Sequence, residues 1–226
     1  MPRQTIVLSD GNASDLREYF GEFGEKSFST APDEPKLSGL SAAKIIEIAI
    51  ECRKLSNYNV AVDFNDFLIT LSGECVYKDF WNPNVGKKAA INILATGRFL
   101  IYLSSNVSKK VNNFSMAHEL GHYFIHFLRG EFHFAFSSEQ IEKENHMRAY
   151  RFGYEEVEQE ANIFAAAFLM PPDVFQQKWG MERGNLTSLS DFFLVEEYTV
   201  MKWREKIDKL YEDGLIGTLN GSKAKI

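Results

Sequence analysis

The run Phe114-Ser115-Met116-Ala117-His118-Glu119-Leu120-Gly121-His122-Tyr123-Phe124-Ile125-His126 carries an H-E-x-x-H motif inside a helical pattern of apolar residues. Residues four apart on an α-helix differ by about 40° around the axis and about 6 Å along it, so the imidazoles of His118 and His122 can converge on one ion. Phe114, Ala117, Gly121, Phe124, Ile125 and Leu128 form an apolar stripe, and Leu120, Tyr123 and Phe127 line the other side. A helix apolar on nearly every face belongs in the interior, where unpaired histidines and a glutamate are costly. A bound metal removes that cost. His126 continues the four-residue spacing but lies too far along the axis to ligate, which predicts a contact with the ligands or a place in the core.

A third ligand is needed. The metzincin pattern requires Gly and then His at offsets where Ile125 and Leu128 stand, so that class is excluded. Downstream, Glu158, Ala161, Asn162, Ala165 and Leu169 share one helical face, and the small Ala161 and Ala165 allow close approach to the histidine-bearing helix. Glu158 can then complete a His/His/Glu site with a fourth position open to water. Glu160 is the alternative ligand. Asn162, one turn beyond Glu158, is placed to accept a hydrogen bond from a ligand imidazole and fix its tautomer.

The rest of the chain sets bounds on this reading. With 226 residues, 45% of them hydrophobic, it can bury a sizeable core. Its formal charge of -6 argues against direct nucleic-acid binding. Cys52 and Cys75 read as reduced packing thiols, and no stretch of eighteen apolar residues occurs, so a cytoplasmic protein without a membrane span is expected.

Residues 1–37 read as an irregular lead-in, 38–175 as the main domain, 129–153 as an insertion within it, and 176–226 as a helical tail. Ser41 is placed to cap a helix reaching Leu55, and a shorter helix follows Asp63, with Gly73 placed to stop it. Three β-like segments, Glu74–Phe80, Lys88–Leu94 and Arg98–Ser104, predict a small, largely antiparallel sheet, the last two joined by a tight link at 95–98. The Arg98–Ser104 strand is either plain structure or an open edge for an extended peptide. Helical periodicity returns over 113–128 and 154–170. The expected class is α+β. Leu189, Phe192, Phe193, Val200, Trp203, Ile207 and Leu210 predict two helices in the tail, whose acidic residues argue against a DNA-reading role.

The Phe114–His126 run, followed by the Glu158–Pro171 segment, resembles the ImmA/IrrE family of metallopeptidases over roughly residues 41–175. The resemblance implies a zincin-like core, Zn2+ held by His118, His122 and Glu158, and Glu119 as general base. It further implies a cytoplasmic protein of bacterial, phage or mobile-element origin that cleaves or inactivates a regulator such as a helix-turn-helix repressor. In that chemistry zinc acidifies a bound water and Glu119 takes its proton as a peptide carbonyl is attacked. A non-cleaving binder, of anti-repressor or toxin-antitoxin type, is the alternative function. The residue stabilising the oxyanion is left open, with His133, His146 and Tyr150 of the insertion and Tyr154 just after it as candidates.

Overall fold

The computed structural model describes residues 37–56, 58, 60, 64–71, 73–78, 89–93, 99–127 and 155–216. The lead-in before Leu37, the 95–98 link, the 129–153 insertion and all four candidate oxyanion residues lie outside that set.

Ser41 caps the first helix, α1 (Ala42–Leu55), by accepting from the Lys44 amide at 3.3 Å. Ile45, Ile48, Ala49 and Cys52 recur at helical spacing and are buried. A short helix, α2 (Phe64–Thr70), precedes strand β1 (Gly73–Lys78), followed by β2 (Ala89–Ile93) and β3 (Phe99–Ser104). Gly73 does not stop the helix. It opens β1 directly opposite Phe99, and a Cβ there would overlap the Phe99 ring.

The sheet has the order β1-β3-β2 and is mixed, not largely antiparallel. β2 and β3 are antiparallel, with Ile91 opposite Ile101, whereas β1 and β3 are parallel, with Cys75 opposite Ile101. Two successive reversals of direction make β1 and β3 run the same way, and β3 inserts between its predecessors. Side-chain alternation reports which face a residue occupies, not which strand lies beside it. The same order corrects the open-edge reading of Arg98–Ser104: β3 is paired along both sides, and five of its six residues are buried.

Ser108 accepts from the Val111 amide at 3.2 Å and caps α3 (Lys109–Gly121), which therefore starts before the expected residue 113. The chain continues without a break as a π-helical turn over His122–Phe127. Helix α4 (Glu155–Leu169) packs against α1 on one side and α3 on the other. At the α3–α4 crossing, a Cβ added to Gly121 would lie 3.1 Å from the Ala161 Cα. The small residues at 121 and 161 thus bring the two helices close enough for their polar side chains to meet.

Three helices follow where two were expected: α5 (Pro172–Met181), α6 (Leu186–Phe193) and α7 (Glu197–Glu212). Pro172 sits at the first position of α5, where its missing N–H costs nothing. Trp203 of α7 donates its indole N–H to the Met170 carbonyl at 2.8 Å, fastening the tail to the end of α4. Phe192 departs from the expected apolar face: it is 42% exposed and lies under the Lys178 ammonium. Among the described residues no helix is long and apolar enough to cross a membrane.

Candidate metal centre

The interior position expected of the motif helix is observed. Every residue from Ser115 to His126 is buried. His118 on α3 and His122, which opens the π-helical turn one helical turn later, point their Nε2 atoms at each other across 3.1 Å. From α4, the Glu158 carboxylate lies 3.1 Å from His118 Nε2 and 3.5 Å from His122 Nε2. Donors about 2.0–2.1 Å from a tetrahedral ion stand about 3.3 Å from one another, so the three separations match one face of such a shell. These three side chains can hold a metal ion.

Hydrogen bonds on the far side of each ring agree with that use. The Oδ1 of Asn162 can only accept, so His118 must place its proton on Nδ1, 2.9 Å away, and present a bare lone pair at Nε2. His122 Nδ1 lies 3.1 Å from His126 Nδ1, and His126 Nε2 lies 3.0 Å from Glu160 Oε2. The carboxylate accepts, so a neutral His126 carries its proton on Nε2 and accepts at Nδ1 from His122, whose Nε2 is then bare as well. Three acceptors left within 3.5 Å of one another repel unless a cation lies among them.

Electrostatics point the same way. Burial pulls the His122 imidazole down to about 4, keeping it in the neutral form a ligand requires. Burial alone would raise the Glu158 carboxyl, but a proton or positive charge on the facing His118 and His122 outweighs it and holds the group well below the usual carboxylate range, so the carboxylate favours a cation at this point. Glu158 is the most exposed of the three, with 22% of its side chain open to solvent, so the site is reached from its side.

His126 lies where the four-residue spacing puts it, in contact with the ligand histidine His122 and not in the triad. A π-helical turn begins at His122, and the two rings stand 5.1 Å apart, close to the 4.8 Å between His118 and His122. Glu160, the alternative ligand, is absent from the triad because two residues on α4 correspond to a rotation of about 200°. It is buried on the opposite side and held by His126 and Ser38. Glu119 is buried on α3 beside His118. Sequence reasoning missed the Glu160 contact with His126, because Glu160 is one of four glutamates in the first half of α4 and nothing local sets it apart.

Over residues 77–202 the chain matches the Peptidase M78 family model, described as IrrE N-terminal-like domain. The chain belongs to this family. The match agrees with the ImmA/IrrE resemblance but extends further toward the C-terminus, taking in α5, α6 and part of α7 of this M78 peptidase family member. No curated protein is matched by the chain.

Proposed function

We propose that this M78 family member is a zinc-dependent endopeptidase in which His118, His122 and Glu158 hold the ion and Glu119 is the general base. The observation that carries the reading is the facing set of two bare imidazole nitrogens and one carboxylate at tetrahedral spacing. When bound, zinc supplies Lewis acidity, lowering the pKa of a water toward about 7 and polarising a peptide carbonyl. Glu119, adjacent to His118 on the same buried helix, takes the proton of the attacking water and returns it to the leaving amine. Asn162 and His126 hold the imidazoles in the ligating tautomer. A cytoplasmic regulatory protein, such as a helix-turn-helix repressor, is the proposed substrate, on the strength of the family resemblance.

The test uses wild type, Glu119→Gln and His122→Ala, each assayed for bound metal and then incubated with a candidate repressor. Wild type and Glu119→Gln are expected to bind about one zinc per chain and His122→Ala none, with cleavage by wild type alone. A Glu119→Gln protein cutting at the wild-type rate would sink the base assignment. Loss of repressor activity without any cleavage product would favour the non-cleaving binder.

A further inference from the structure

Behind the triad, a chain of polar groups runs inward from the metal site to the start of the first helix. Glu160 Oε2 accepts from the Ser38 backbone N–H at 3.0 Å, and Oε1 accepts from the Ser38 hydroxyl at 2.7 Å. The same carboxylate accepts from His126 Nε2, and His126 Nδ1 faces His122 Nδ1. His126 is completely buried and Glu160 nearly so, although no covalent neighbour requires either to be there. Such burial is costly unless every polar atom is satisfied, and here both carboxylate oxygens and both ring nitrogens have partners. With both rings neutral, as metal ligation of His122 requires, one set of proton positions satisfies these contacts, and it leaves the lone pair of His122 Nε2 pointing at Glu158 and His118.

We infer that Glu160, clamped by Ser38, is a positioning residue acting through His126 to orient His122, so that the segment entering α1 helps set the metal affinity of the site. The inference rests on the proposed His118/His122/Glu158 site. It adds an anchor from a part of the chain 122 positions away in sequence from Glu160. Asn162 does the corresponding work for His118 through one contact; His122 needs two because its far nitrogen faces the interior.

The experiment measures zinc affinity of the full chain by competition with a chromogenic chelator, alongside the visible spectrum of the cobalt-substituted protein. Glu160→Ala is expected to weaken zinc binding about ten- to a hundredfold, the range for groups that orient a ligand histidine. Glu160→Gln keeps an acceptor for His126 and should restore affinity to within about threefold of wild type. Ser38→Ala removes one arm of the clamp and should cost a few-fold, with an altered cobalt spectrum at saturating metal. Far-UV circular dichroism of the metal-free proteins confirms that each is folded. Should Glu160→Ala prove unfolded, Ser38→Ala decides the matter, and wild-type affinity and spectrum in that variant would overturn the inference. Wild-type affinity and spectrum in folded Glu160→Ala and Ser38→Ala would overturn the inference. His122→Ala serves as the separate control: retention of zinc by that variant would refute the metal site itself, whereas its loss together with unaffected Glu160 and Ser38 variants would refute only the relay.

Discussion

Asn162 Oδ1 lies 2.9 Å from His118 Nδ1, one helical turn beyond Glu158 on α4. One helix therefore supplies both a carboxylate to the metal face of the site and the acceptor that orients a histidine of the other helix. Asn162 is itself exposed, so replacing it should perturb packing little. Asn162→Ala is expected to weaken metal binding by roughly tenfold, while Asn162→Asp, which keeps an acceptor oxygen, should come close to wild type. Chelator competition checks this, and equal affinities for wild type and Asn162→Ala would remove Asn162 from the site.

The close α3–α4 approach depends on Gly121. An added Cβ would press on the Ala161 Cα and carbonyl oxygen, both at 3.1 Å, and backbone cannot swing aside as a side chain can. Gly121→Ala should destabilise the protein by about 1–3 kcal/mol. Gly180, in α5, has nothing within 4 Å of such a Cβ, so Gly180→Ala should be neutral or stabilising by up to about 1 kcal/mol. Urea unfolding of both variants separates a packing effect from a general glycine effect. Similar changes in the two would contradict the crossing argument.

The triad was legible because its spacing is local: four residues for the histidines, and a small-residue face around Glu158 for the helix that meets them. Strand segments were legible from alternation, yet the parallel β1–β3 pairing was not, because neighbour order depends on how the chain returns. Gly73 looked like a helix stop because its partner, Phe99, is distant in sequence. The contact of His126 with His122 was legible from the same four-residue spacing, but the π-helical turn that carries it was not. Ser38 had no local signal at all, since its contacts with Glu160 arise only from tertiary packing.

Alkaline pH should expose the buried phenol of Tyr58. Its hydroxyl donates to Asn113 Oδ1 at 3.2 Å, and burial pushes it up to about 12 despite the nearby Arg53 charge. The unfolded chain ionises first, near 10, so stability is constant below that value and falls as pH rises toward about 12. The contribution lost approaches about 3 kcal/mol, and Tyr123, also pushed up by burial, adds to the same decline. Tyr58→Phe should cost about 1 kcal/mol at neutral pH but show a shallower loss between pH 10 and 12. Unfolding free energies measured across that interval test it; identical slopes would show that Tyr58 ionises normally in the folded chain.

Two residues on the first turns of α3 tie the tail to the metal-site helix, and their environments predict unequal costs. Lys110 Nζ reaches Asp191 Oδ1 at 2.5 Å and Ser190 Oγ at 2.8 Å, but the Asp191 side chain is 67% exposed. Water replaces most of such a contact, so Lys110→Ala should cost less than about 1 kcal/mol. Asn113 is fully buried, donating to the Leu194 carbonyl at 2.8 Å while accepting from Tyr58. Leu194 adopts a left-handed conformation at the end of α6, φ 54°, and Asn113 satisfies the carbonyl at that bend. Asn113→Ala leaves a carbonyl and a phenol without their partner in the interior and should cost about 2–4 kcal/mol. Chemical denaturation of the two variants measures the difference directly, and a Lys110→Ala loss equal to that of Asn113→Ala would mean that the surface ion pair, not the buried amide, fastens the tail.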